Sequence, residues 1–263
     1  MIVPVAGHGD PGIADYAHVG DHAWLHAHGL FVAEGRLVVR RLLAAGRFPL
    51  QSILLTPAAL RDFGAAIDTD APVYLAGPDI LNQVTGIDFH RGCLALARRP
   101  AEDDDAVAGR FAGAKLLLAI EGVGNPDNVG GLFRVAWAFG AAGLLLDPAT
   151  GDPFYRKAVR TSMGAVLQLP FARVRPWPSA LEAFKAIGFR IVALTPAADA
   201  VSLDGFAGEG HGPLVVLVGA EGRGLSEAAL RAADIRVRIP IAPDVDSLNV
   251  TVAAGIALSR LSG

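Results

Sequence analysis

The stretch LLLAIEGVGNPDNVGGLFR, residues 116–134, decides the fold. It opens on five residues, 116–120, with no polar position among them. A strand that is apolar at every position is buried on both faces, and such strands belong to parallel sheets covered by helices. A carboxylate and a glycine-rich turn follow. Then comes a helical pattern over 129–139, whose apolar positions include Val129, Leu132, Phe133, Val135, Trp137 and Phe139. Strand-length apolar runs recur at 143–146, 190–194, 214–218 and 235–239, and helices are predicted over 179–187, 226–232 and 248–261. The alternation predicts an α/β domain over 114–263, with its ligand site beyond the carboxyl ends of the strands.

Upstream, residues 99–113 combine a proline, four consecutive acids and small residues, which predicts a linker. Ahead of it, 34–45 has a helical period, and strands are expected at 52–55, 73–75 and 93–97. Helices open after Thr56-Pro57 and near Gly77-Pro78. A small α/β layer domain over 24–98 is therefore expected. Residues 1–23 read as a polar, partly disordered leader without the basic and apolar regions of a secretory signal.

Composition narrows the function classes. The 263 residues are 52% hydrophobic and the mean hydropathy is +0.41, yet no uncharged apolar run reaches the ~18 residues a membrane helix requires. A lone cysteine, Cys93, excludes an intramolecular disulfide framework and a cysteine-based zinc site. A cytoplasmic protein is expected, with no membrane partner. The net charge of −3 does not announce a nucleic-acid partner by itself. Five of the seven histidines lie between His8 and His28, with His22 and His26 four apart beside Asp21, but no metal is expected there. Cys93 and Met163 are expected in the core.

Three strand ends carry the chemistry. The first holds Glu121, Gly122 and Gly124, but Asp127 stands where a dinucleotide fingerprint needs its third glycine, which argues against a nicotinamide-dependent oxidoreductase. Asn128 is the expected helix cap. Arg134, four residues after Gly130, can lean over it toward the mouth of a site, or else be held in a structural ion pair. The second end, 219–226, sets Glu221 among Gly219, Gly222 and Gly224, where the backbone can approach a ligand closely. The third carries Pro240 and Pro243 and then Ser247-Leu248-Asn249-Val250. Ser247 is the expected cap there, with Asn249 offering an amide to a ligand.

Taken in order, Asn128-x-Gly130-x-x-x-Arg134, Gly219-x-Glu221-Gly222-x-Gly224, and Ile239-Pro240 with Ser247-Leu248-Asn249-Val250 resemble the SpoU/TrmH-type RNA 2′-O-ribose methyltransferases of the SPOUT superfamily. The likeness covers 115–263, with 157–165 similar to the family's connecting segment. It extends more loosely over 24–97, where 30–43 and 86–97 are similar to an RNA-binding domain akin to ribosomal proteins. The resemblance implies a C-terminal α/β domain closed by a trefoil knot, a homodimer, and S-adenosylmethionine as cofactor. The cofactor's neighbours would be Thr195, Gly219, Ile239 and Leu248. Arg134 would be the catalytic position, with Asn128, Glu221, Ser247 and Asn249 orienting it and the ribose. RNA, ribosomal rather than transfer, would be brought by the N-terminal domain, where eight arginines face six acids over 24–100. Arg36, Arg40, Arg41 and Arg91 are its candidate phosphate contacts. A catalytically inactive RNA-binding, ribosome-associated protein is the alternative.

Overall fold

The computed structural model describes residues 1–86, 92–101, 107–208 and 211–262. The chain divides into two compact units, Met1–Ala101 with Pro153–Gln168, and Glu102–Asp152 with Leu169–Gly263.

The first unit holds β1 (Ile2–Pro4), α1 (His22–Ala27), β2 (Leu30–Glu34), α2 (Arg36–Ala45), β3 (Leu50–Leu55), α3 (Pro57–Phe63), β4 (Val73–Leu75), α4 (Pro78–Thr85) and β5 (Cys93–Arg98). Its sheet runs β1-β4-β3-β5-β2. β1, β4 and β3 are parallel, whereas β5 pairs antiparallel with both β3 and β2. The first 23 residues are not a disordered leader. β1 adds an edge strand, and Ile13, Tyr16 and Val19 are buried against Leu54, Leu94 and Leu96. The reason is local: Pro11–His18 is a 3-10 helix, in which residues three apart fall on one face. The Tyr16 hydroxyl meets Ser52 Oγ at 2.9 Å inside this core, and burial raises its pKa above the ordinary tyrosine value. Strand β2 is also absent from the sequence-based expectation. It is buried along its length, and Gly35, at φ 88°, separates it from α2.

The second unit holds α5 (Val107–Arg110), β6 (Leu116–Glu121), α6 (Pro126–Ala138) and β7 (Gly143–Leu146). The chain then enters the first unit as α7 (Arg156–Thr161). It returns with β8 (Phe171–Arg173), α8 (Leu181–Ala186), β9 (Arg190–Leu194), β10 (Val201–Ser202), α9 (Leu203–Gly208), β11 (Leu214–Gly219), α10 (Glu227–Ala232), β12 (Ile235–Arg238) and α11 (Val250–Leu261). All seven strands are parallel, in the order β10-β12-β9-β11-β6-β7-β8. Alternate residues serve opposite faces. Leu117, Ala119, Val215 and Leu217 join a core with Phe184 of α8 and Ala229 of α10. The other face is covered by α6, α9 and α11, which pack on β7, β11 and one another.

Three expected boundaries shift. Residues 99–113 are not linker throughout, because Val107 and Phe111 are buried in the second unit's core. The described residues omit the acidic run. Residues 153–168, expected inside the C-terminal domain, belong to the first unit. There Phe154 packs on Phe31 at 4.8 Å, Arg156 pairs with the buried Glu34 at 2.8 Å, and the Arg41 guanidinium donates to the Met163 carbonyl. Met163 is partly exposed at φ 54° rather than in the core. Finally, α6 starts three residues earlier than expected. Asn125 caps it, accepting the Asp127 N–H at 2.9 Å, so Asn128 lies buried in the first turn.

Cys93 is fully buried on β5, and its thiol is pushed up to about 12 by burial, against the weaker opposing pull of Arg36 and Arg40. It should resist iodoacetamide at pH 8 in the native protein and be alkylated once urea unfolds the first unit, as followed by mass spectrometry. Native labelling at the rate of a free thiol would contradict this burial.

Candidate functional site

The carboxyl ends of β9, β11 and β12 surround a cleft of about 480 Å³. Thr195 and Pro196 follow β9, Gly219 ends β11 and Ala220 to Gly222 follow it, and Ile239 and Ile241 follow β12. Ser247 and Leu248 close it ahead of α11. The expected residues Thr195, Gly219, Ile239 and Leu248 thus meet in one place, together with Glu221 and Ser247.

Gly219 is required by the chain itself. A Cβ on it would stand 2.3 Å from the backbone carbon of Gly224 and 2.5 Å from the nitrogen of Leu225. The turn 220–224 folds directly over it, closed by the Gly224 N–H donating to the Ala220 carbonyl at 2.9 Å, with Gly222 at φ 81° and Gly224 at φ 65°. Close approach is real at this position, but the approaching group is protein backbone.

Asn249 ties the stretches together. It, not Ser247, caps α11, its Oδ1 accepting the N–H groups of Thr251 at 2.9 Å and Val252 at 3.3 Å. Its Nδ2 donates to Asn128 Oδ1 at 3.0 Å and to Glu221 Oε1 at 2.6 Å. One amide therefore joins α6, the turn after β11 and the start of α11. The helices it joins lie close because Gly131 has no side chain: a Cβ there would be 2.7 Å from Thr251 Oγ1. The packing glycine is Gly131, next to the Gly130 that the sequence pattern picks out. Ser247 is exposed on the cleft wall.

Two supporting networks lay outside the expected set. Glu121, at the end of β6, accepts from Trp177 Nε1 at 2.9 Å and from the Ser226 N–H at 2.8 Å and hydroxyl at 2.7 Å. It anchors the residue that caps α10. The buried carboxylate of Asp147 accepts the N–H groups of Gly122 at 3.0 Å and Thr150 at 2.7 Å, locking the turn after β6 to that after β7. A carboxylate directly after a buried strand was the available signal for both.

Arg134 is exposed on α6, is not among the cleft-lining residues, and makes no ion pair or side-chain hydrogen bond among the described residues. The alternative of a structural ion pair is therefore set aside, and its charge is available to a ligand. In the first unit Arg36 pairs with the Asp62 carboxylate, and Arg40 donates to the Asp62 carbonyl and lies over the Phe63 ring at 4.8 Å. Both remain exposed, whereas the half-buried Arg41 is engaged by Met163. Arg91 lies outside the described residues. Two of the N-terminal histidines, His18 and His28, stack on Trp24 at 4.2 and 3.9 Å. Among the described residues no group of three or more metal-ligating side chains converges.

Residues 115–259 match the SpoU rRNA Methylase family. An uncharacterized tRNA/rRNA methyltransferase of Mycobacterium bovis is 43% identical over 232 residues, spanning 87% of this chain and 79% of its own. The crystal structure of an AdoMet-bound rRNA methyltransferase from Sinorhizobium meliloti is 25% identical with a TM-score of 0.83, covering 99% of this chain and 97% of that one. An RNA 2′-O ribose methyltransferase structure is 27% identical with a TM-score of 0.78, covering 99% and 98%.

Replacing Asn249 separates cap from bridge. Asn249→Ala should cost about 1 kcal/mol for the cap and a further ~1 kcal/mol for the bridge, measured by urea unfolding. Asn249→Ser should recover only the first part, and full recovery by serine would show that the bridge contributes nothing.

Proposed function

The chain belongs to the SpoU rRNA Methylase family and is an S-adenosylmethionine-dependent RNA methyltransferase, and from that premise we propose that it methylates a ribose 2′-hydroxyl of ribosomal RNA. The observation that carries this reading is the cleft that gathers Thr195, Gly219, Ile239 and Leu248 beside a Glu221–Asn249–Asn128 bridge. The ribosomal RNA methyltransferase and the RNA 2′-O ribose methyltransferase that share this fold support the finer assignment.

The cleft suits the cofactor. Its volume of about 480 Å³ falls within the roughly 300–1,000 Å³ of small-molecule sites. Ile239 and Leu248 offer apolar contact to an adenine ring, and the carboxylates of Glu221 and Asp246 on its lining favour a ligand that carries cationic groups. When bound, S-adenosylmethionine supplies an electrophilic methyl group. Thr195, Gly219, Ile239 and Leu248 hold it.

The protein's remaining task is to position and activate the hydroxyl. Arg134 remains protonated, since a guanidinium releases its proton only above a pKa of roughly 12. It is therefore assigned to hold the neighbouring phosphate and to stabilise negative charge as it develops on the ribose oxygen. Asn128, Glu221, Ser247 and Asn249 orient the ribose and the loops that receive it. Residues 24–98 bring the RNA, with Arg36 and Arg40 exposed for phosphate contact; Arg91 is assigned there from the sequence. Arg41 would first have to leave the Met163 carbonyl. The trefoil knot and the homodimer belong to the same proposal. The chain crosses from β12 to α11, which packs on α6. Trp137 of α6, 38% exposed, and Val252 of α11, 50% exposed, support a second copy covering these helices.

Arg134→Ala should reduce methyl transfer to RNA by at least about a hundredfold, the scale of losing one charge-stabilising donor, while calorimetry finds S-adenosylmethionine bound as tightly as in the native protein. Equal loss of both would contradict this division of roles, and mapping ribose methylation in cellular RNA with and without the protein tests the target.

A further inference from the structure

The segment that enters the first unit between β7 and β8 builds a second cavity. It is an open pocket of about 200 Å³ whose lining includes His22, Leu25, Tyr155, Arg156, Lys157 and Arg160. Arg156 and Arg160 are four residues apart on α7 and so share a face. None of the residues lining it carries a carboxylate.

Two acids near the cavity are engaged, one of them by a cation of the cavity itself. Glu34 is buried and taken by Arg156, whose Nε and Nη2 both reach its Oε2 at 2.8 Å. This pair fixes the cavity wall. Asp21 accepts the Trp24 N–H at 3.0 Å as the cap of α1. Arg160 is half-buried and makes no ion pair or side-chain hydrogen bond among the described residues. The His22 ring meets Tyr155 edge-on at 4.8 Å, and both residues line the pocket. A guanidinium in a concave, partly desolvated setting attracts an anion more strongly than one in open water. Tyrosine and imidazole edges add donors that fit phosphate oxygens.

We infer that this pocket is a phosphodiester-binding site for the RNA substrate, in which Arg160 and Lys157 contact backbone phosphate and His22 and Tyr155 line its wall. The inference rests on the RNA methyltransferase reading. It gives a role to His22 and to α7, neither of which lines the cleft of the second unit.

The test uses the full chain and a fluorescein-labelled RNA hairpin, read by anisotropy across a salt series. The double variant Arg160→Gln/Lys157→Gln should bind the hairpin at least about tenfold more weakly, with a salt dependence shallower by roughly one to two phosphate contacts. Its circular dichroism and S-adenosylmethionine affinity should be unchanged. Arg160→Lys should recover most of the affinity if charge is what the phosphate feels. A double variant that keeps native affinity and salt slope would overturn the site. So would inorganic phosphate that binds the pocket, is lost in the double variant, and fails to compete with the hairpin, since this marks a free-anion site. Failure of the underlying reading has a different signature: hairpin binding intact in the native chain, with no methyl transfer to any cellular RNA fraction.

Discussion

The second unit depends on one amide whose two ends cannot be exchanged. Asn249 presents its oxygen to the first N–H groups of α11 and its nitrogen to Asn128 and to the Glu221 carboxylate. Reversal of that amide would set an acceptor against a carboxylate and a donor against donors. Each contact is individually worth only about 1 kcal/mol. Together they admit a single orientation, and this orientation fixes where the turn after β11 and the start of α11 meet at the cleft. The Gly219 constraint acts in the same place by exclusion: the turn 220–224 lies so close over Gly219 that no side chain fits beneath it.

The central strands were legible in the sequence because burial on both faces leaves an uninterrupted apolar run, as at 116–120 and 214–218. Elements that obey another period were not. Ile13, Tyr16 and Val19 recur every three residues, which matches neither an α-helix nor a strand, yet a 3-10 turn buries all of them. The start of α6 was misplaced although a signal was present: Asn125 followed by Pro126 is the favoured cap and first-turn pairing, and Asn128 is equally able to cap in isolation. The excursion of 153–168 had no local signature. Its helical and apolar residues would suit either unit, and long-range contacts place it in the first: Phe154 with Phe31 and Phe48, Arg156 with Glu34, and Arg41 with the Met163 carbonyl.

Cleft residues were legible by type and order, while their reasons were not. Gly219 could be singled out among the glycines of 219–224, but its need comes from neighbouring backbone, a long-range fact of how a turn doubles back. Asn249 was marked for a ligand, and its amide is spent within the protein. Its effect on any ligand therefore passes through Glu221 and Asn128. Glu121 and Asp147 are visible in the sequence as acids at strand ends, but their roles are not, because only the folded chain brings Trp177 and Ser226 to Glu121 and Gly122 to Asp147.

Charge gives the last step. A net charge of −3 looks uninformative for an RNA-modifying protein, but the sum conceals a separation. In the second unit the cleft is lined by Glu221 and Asp246 and by no cation. In the first unit the smaller cavity is lined by Arg156, Lys157 and Arg160 and by no acid. A methyl donor with a sulfonium group and a polyanionic acceptor favour fields of opposite sign, and the linings of the two cavities differ in that sense. A net charge near zero therefore does not describe the field at either cavity, which is set by the few side chains that line it.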